Sequence, residues 1–327
     1  MTFRSLIGRM PIDPYLLLLI ATVVLAFVFP ARGAAQPIAD GSVLIAVGLL
    51  FFLYGARLSP AAVWAGITHW RLQSLVFAST FVVFPILGLA AYWGTRPWLP
   101  EDIAVGFLYL SLLPSTVQSS IAFTSIARGN VPAALCSASL SNLLGVVLTP
   151  LLVAMLLRSV GGGVSLHAVE GIALQILLPF VVGQIARPWI GTWLATHRTL
   201  TSVVDRGSIL LVVYAAFSAG MVAGVWGRLS PVDLVIVLAI DLVMLGVILG
   251  VTTGLARRLR FSTEDEIALV FCGSKKSMAG GLPMATILFA GHGVSLIVLP
   301  LMLFHQAQLF VCATLARRYA RRAEGAA

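Results

Sequence analysis

Charge is what this chain has least of. Only 10% of its 327 residues are Asp, Glu, Lys or Arg, and lysine occurs at two positions, Lys275 and Lys276. A water-soluble fold of this length needs far more polar surface to cover its core, so a soluble domain is excluded. Cysteine is scarce as well. Cys136, Cys272 and Cys312 each lie inside an apolar run with no metal-ligand spacing, which argues against a disulfide framework or a zinc site and leaves them as small packing residues. No HExxH or GxSxG occurs, and no span holds a carboxylate pair within its apolar interior. The nearest thing to catalytic machinery is Ser274 or Ser277 beside a lysine, in the manner of a Ser-Lys dyad, and a glycine-rich helix break explains the same residues.

What the chain has is apolar. Hydrophobic residues make up 59% of it, and its mean hydropathy is +1.02. A bilayer core takes about 20 apolar residues per helix, and runs of that size recur from Pro14 to Cys312. The punctuation between them predicts an all-α polytopic membrane protein of ten transmembrane helices near 13–30, 38–56, 70–94, 102–127, 131–157, 166–187, 204–225, 231–256, 264–290 and 294–316. The first run follows Arg4 and Arg9 and precedes Ala34-Ala35, the outline of a secretory signal. Nine further spans in place of a secreted domain favour an uncleaved first helix.

The net charge of +9 belongs to the connections between these runs, so it reports topology and predicts no nucleic-acid partner. Ten spans put both termini on one side, with fifteen arginines there against four on the other, Arg32, Arg96, Arg158 and Arg228. This bias predicts cytoplasmic termini. Five is odd, so the halves 1–157 and 158–327 run in opposite senses through the membrane, the arrangement of inverted-repeat transporters. Faint echoes agree: Pro30-Ala31-Arg32 with Ala186-Arg187-Pro188, and Leu148-Thr149-Pro150-Leu151 with Val298-Leu299-Pro300-Leu301.

The stronger correspondence is between spans four and nine, each interrupted midway. Span four carries Pro114, Ser115, Thr116, Gln118, Ser119 and Ser120; span nine carries Gly273, Ser274, Lys275, Lys276, Ser277, Gly280, Gly281 and Pro283. Proline removes a backbone hydrogen bond and glycine weakens the helix, so free N–H and C=O groups arise at mid-depth. Such groups are tolerated only where protein or a watery cavity receives them. A half-helix N-terminus there favours an anion.

A lysine at the centre of a membrane helix costs about 2.5–3.5 kcal/mol on the insertion scale. Two in succession therefore imply a compensating environment, and adjacent helical residues point about 100° apart, so they need not share a role. Asp241 is the one carboxylate well inside an apolar run, and its pairing with Lys275 or Lys276 would relieve both. An aspartate at a cavity rim explains it equally. His305, Gln306 and Gln308 in span ten can line a cavity or bond between helices. Thr80 before Pro85, and Ser137, Ser139, Ser141 and Asn142, fit close helix contacts.

Phe271-Cys-Gly-Ser-Lys-Lys-Ser-Met-Ala-Gly-Gly-Leu-Pro-Met, Pro114-Ser-Thr-Val-Gln-Ser-Ser and Ile126-Ala-Arg-Gly-Asn resemble the bile acid:sodium symporter family, closest to a bacterial branch related to its seventh vertebrate member. The resemblance runs from Phe29-Pro-Ala-Arg-Gly33 to Leu303-Phe-His-Gln306. It implies a panel domain of spans 1, 2, 6 and 7 and a core domain of spans 3–5 and 8–10. Spans four and nine would cross at their breaks, with substrate between core and panel and alternating access, in a bacterial inner membrane. It also implies sodium ligands that this chain lacks. Phe271 stands near the acidic position of span nine and Lys275 near its glutamine. Ser119 and Ser120 replace a Ser-Asn pair, and Ala134 and Ala138 stand where hydroxyls would continue the site. A charged lysine donates hydrogens and cannot ligate. A lysine ammonium in the place of sodium, bonded to Gln118, Ser119, Ser120 or freed carbonyls, is the resulting expectation.

The function expected is a secondary transporter of an organic anion, bile-acid-like or a small carboxylate. Uniport, exchange or proton linkage is favoured over sodium symport, with no cofactor, no resident metal and no obligate protein partner beyond membrane lipid. Sodium-dependent symport and a non-transporting membrane regulator of the same fold are the alternatives.

Overall fold

The computed structural model describes residues 14–57, 69–159, 173–289 and 293–325. Among them there are helices and no strand. In chain order these are α1 (Pro14–Val28), α2 (Ala35–Arg57), α3 (Trp70–Thr95), α4 (Glu101–Ser111), α5 (Val117–Ile126), α6 (Val131–Ser159), α7 (173–196) and α8 (Arg198–Val222). After a 3-10 turn at Val225–Arg228 come α9 (Pro231–Arg258), α10 (Thr263–Gly273), α11 (Met278–Leu288), α12 (Val294–Ile297) and α13 (Leu299–Gly325). Among the described residues, six helical stretches are long and apolar enough to cross a bilayer: α2, α3, α6, Thr199–Val222, α9 and the joined α12 and α13.

Most expected boundaries fall within a few residues. The helix expected at 166–187 runs on to Thr196, the next begins at Arg198 rather than 204, and the last continues to Gly325. Arginine is a good helix former, so a charged residue marks where a helix leaves the lipid, not where it ends. Residues 160–172, with the start of the sixth expected span, and Arg4 and Arg9 lie outside the described residues.

Local chemistry sets the ends that matter. Glu101 and Asp102 open α4, and Glu264, Asp265 and Glu266 open α10, where negative charge meets the positive end of the helix dipole. The α10 N-cap, Ser262 Oγ, accepts from Asp265 N at 3.2 Å. In α9, Ser230 and Asp233 form a capping box, and Arg257 and Arg258 close the last turn. Pro114 stops α4 because it has no N–H to give. Ser277 Oγ opens α11 by accepting from Gly280 N at 3.3 Å.

The helices sort by contact into two groups. One is α1, α2, α7 and α8; the other is α3 to α6 with α9 to α13; α8 touches α11 and α12 between them. The α2–α7 seam is held at backbone distance by Gly55 and Gly183. A Cβ on Gly55 would strike the Phe180 carbonyl, and one on Gly183 the Phe52 carbonyl.

The two interrupted helices touch at their breaks. Ser277 N donates to the Pro114 carbonyl at 2.8 Å, Ser120 Oγ to the Phe271 carbonyl at 3.1 Å, and Tyr109 OH to the Gly281 carbonyl at 2.6 Å. Beyond α5, Asn130 clasps the start of α10: its N donates to the Glu264 carbonyl at 3.0 Å and its Nδ2 to Asp265 Oδ1 at 2.7 Å.

Candidate functional site

Lys276 lies wholly buried at this crossing. Its Nζ donates to the carbonyls of Thr80 at 2.9 Å, Ser111 at 2.7 Å and Leu113 at 2.7 Å, which uses all three N–H bonds of an ammonium. Each carbonyl is free for a local reason. In α3 a π turn spans Ser79–Val83, so Phe84 N bonds to the Ser79 carbonyl and leaves that of Thr80 open. Pro85 follows, and its missing N–H and its ring favour such a bulge. The Ser111 carbonyl would take Ser115 N in a continuous helix, but that N–H goes to Ser141 Oγ at 3.0 Å. The Leu113 carbonyl faces the gap before α5 begins at Val117. The Phe84 ring adds a cation–π contact, its centroid 4.1 Å from Nζ. Gln308 fixes the backbone, Oε1 accepting from Lys276 N and Nε2 donating to the Lys276 carbonyl, both at 3.0 Å.

Lys275 is equally buried but differently placed. Its Nζ sits 3.8 Å from the Phe123 ring centroid and 5.6 Å from that of Phe271, with no hydrogen-bond partner among the described residues. The expected pairing with Asp241 is not made. Asp241 lies on the buried face of α9 with Val237, Met244, Leu245 and Ile248, and neither carboxylate oxygen has a hydrogen-bond partner among the described residues. The Lys276 ammonium is saturated by carbonyls and that of Lys275 is held over aromatic rings, so neither reaches it. Of the lysine partners expected, only freed carbonyls are used. Thr116 Oγ1 engages Ser119 Oγ at 2.7 Å and Ser120 bonds Phe271, while Gln118 faces the cavity described next.

A Ser-Lys dyad is not assembled either. Ser274 Oγ donates to the Val270 carbonyl at 2.5 Å within its own helix, and Ser277 caps α11.

Beside the crossing, between the two helix groups, lies a cavity of about 390 Å³. One wall is Thr116, Val117, Gln118 and Ser119 at the start of α5, Ser277, Met278 and Ala279 at the start of α11, Ser139, Asn142 and His305; the other is Tyr15, Tyr54, Arg57, Phe180, Asp205 and Arg206. Two half-helix N-termini thus open on one space. Arg57 Nη1 meets Asp205 Oδ2 at 2.7 Å, which cancels both charges. Arg206 lies over the Tyr15 ring at 5.3 Å and leaves the cavity one positive charge in excess among the described residues. Leu143, Val146, Ile209 and Leu309 make the rest apolar.

Of the residues singled out in the sequence, Thr116, Gln118, Ser119, Ser139, Asn142, Ser277 and His305 line this cavity, while Ser115, Ser120, Ser274, Lys275, Lys276, Asp241 and Gln306 are not part of its lining. His305 Nδ1 stands 2.9 Å from Gln308 Nε2. Sequence reasoning missed Arg57, Asp205 and Arg206, since an arginine near a span end reads as topology. An acid next to an arginine at the start of a span was the available signal.

A family model described as the SBF-like CPA transporter family matches residues 13–321. The chain belongs to that family. Its relatives include an uncharacterised Pseudomonas aeruginosa protein, PA2026, 55% identical over 316 residues that cover 96% of this chain and 95% of that one. YfeH of Escherichia coli K12, provisionally named a symporter, is 50% identical over 317 residues covering 96% and 94%. Sodium/bile acid cotransporter 7 of Rattus norvegicus is 28% identical over 275 residues covering 82% and 79%. Family and spanning helices together make this an integral membrane protein and a transporter, not an enzyme.

Proposed function

We propose that this transporter carries an amphipathic organic anion by alternating access between a panel, α1, α2, α7 and α8, and a core built on the crossed helices, and that it works without sodium. The observation that carries the anion reading is the convergence of two helix N-termini and the uncompensated Arg206 on one cavity. Each N-terminus presents free N–H groups and partial positive charge. The apolar wall suits the body of an amphipath, bile-acid-like or smaller. The two contact groups support panel and core, and the paired breaks support two inverted five-helix repeats. The arginine bias supports cytoplasmic termini, and the bacterial relatives support an inner membrane.

The coupling reading rests on Lys276. Three released carbonyls make a cage for a monovalent cation, and the chain fills it with its own ammonium. A tethered cation cannot be exchanged with solution, so a sodium gradient has nothing to act on there, and transport proceeds as uniport, exchange or with protons.

Purified protein in proteoliposomes tests both parts. Uptake of a cholate-type anion is expected with choline replacing sodium on both sides, and Arg206→Gln is expected to weaken it about tenfold, the worth of one charge-assisted contact. Uptake that vanishes without sodium overturns the coupling reading. Folded wild-type protein that moves no organic anion from a broad panel overturns the organic-anion reading.

A further inference from the structure

Away from the crossing, a groove of about 770 Å³ runs between α9 and α13. Its floor is Gly250 and Gly254 on α9, where an added Cβ would meet open space. Its other side is Phe310 and Thr314 on α13, with Phe310 66% exposed. On both helices the stripe ends in arginine, Arg257 and Arg318. From Gly250 to Arg257 and from Phe310 to Arg318 is about 10–12 Å along an α-helix, most of the roughly 15 Å depth of one leaflet.

We infer that this groove binds an anionic phospholipid, its phosphate between Arg257 and Arg318 and one acyl chain along Gly250 and Gly254. The glycines leave the width of a hydrocarbon chain, and the guanidiniums close the groove where α9 and α13 leave the apolar region, at headgroup depth. Arg257 keeps donor capacity, since Glu266 engages only its Nε and Nη2. Arg318 has no ion pair among the described residues. Charge complementarity favours lipid over a second copy of the chain. Arg257 is ion-paired with Glu266 at 3.2 Å, so the excess charge of the groove is that of Arg318. A two-fold axis along the membrane normal would bring Arg318 of one protomer towards that of another, and like charges repel, whereas a phosphodiester neutralises it in place. Basic pockets between membrane helices are fitted to such headgroups.

The test is native mass spectrometry of the full chain released from phosphatidylcholine vesicles with and without phosphatidylglycerol. Wild type is expected to retain phosphatidylglycerol in preference to phosphatidylcholine. Arg318→Gln is expected to retain about fivefold less, the worth of one arginine near an anionic surface. Gly254→Leu, which fills the groove, is expected to lose the preference, while Arg318→Lys and the neighbouring Arg317→Gln keep it. Unchanged melting in phosphatidylcholine shows that a variant is folded. Retention by folded Arg318→Gln and Gly254→Leu at the wild-type level overturns the inference. So does a wild-type dimer that Gly254→Leu dissolves without changing lipid retention, which would assign the groove to a second copy.

Discussion

Two lysines adjacent in the chain meet opposite chemistries, and this separates their substitutions. Removing the ammonium of Lys276 leaves three buried carbonyls unpaired, at on the order of 1–3 kcal/mol for each stranded group. Lys275 donates to none of the described residues, so replacing it removes a buried cation and keeps the packing against Phe123 and Phe271. Lys276→Met is expected to lower the apparent Tm in detergent sharply, and Lys275→Met to leave it unchanged or raise it; equal losses would show that the two environments are misassigned. Asp241 belongs to the same argument. A buried carboxylate without a partner is a cost that an amide reduces, so Asp241→Asn is expected to be neutral or stabilising. In a double-mutant cycle with Lys276→Met it should show a coupling below about 0.5 kcal/mol; a larger coupling would restore the pairing. That these residues are exceptional is plain from the sequence, because charge is so rare among apolar runs. Which atoms answer them is not, because the Lys276 acceptors are backbone carbonyls and any residue type carries one.

At the scale of the element, irregular helices make the cation cage. The break in span four and the break in span nine are legible from Pro114 and from the glycines around Lys275 and Lys276, since these residues disturb helices through their own chemistry. The π turn at Ser79–Val83 is not. Thr80 before Pro85 marks a disturbed stretch, but whether proline kinks a helix or widens it depends on what its neighbours offer the released carbonyl. Here they offer the Lys276 ammonium. Pro85→Ala returns an N–H, lets the turn tighten, and allows Phe84 N to reclaim the Thr80 carbonyl. One charge-assisted bond of about 1.5–3 kcal/mol is then lost. Apparent Tm should fall in the otherwise wild-type protein but not in Lys276→Met, where no ammonium needs that carbonyl. An equal fall in both would mean that Pro85 acts on α3 alone.

At the scale of the molecule, the cavity's position says how solute reaches it. Its panel wall is made by Tyr15 near the start of α1, Arg57 at the end of α2, and Asp205 and Arg206 in the early turns of α8. By the arginine count these three helix ends are expected on one side of the membrane, and the starts of α5 and α11 at the crossed breaks bound the cavity on its core wall. Apolar periodicity and arginine counting predict a sidedness but say nothing of the cavity, because its walls come from helices far apart in sequence and its ion pair joins residues 148 positions apart. A cysteine at Ser139, on the core wall, tests the geometry. Cys272 and Cys312 are buried, so in a Cys136→Ser background Ser139→Cys is the thiol that solvent can reach. A membrane-impermeant maleimide should label it in vesicles exposing the arginine-rich side and spare it in vesicles exposing the other. Under alternating access a transported anion should slow labelling from the first side and raise it from the second, as the panel and core rock about the site. Labelling from both sides without solute would describe a channel. Labelling from the second side alone would place the open state of this cavity on the opposite face of the membrane.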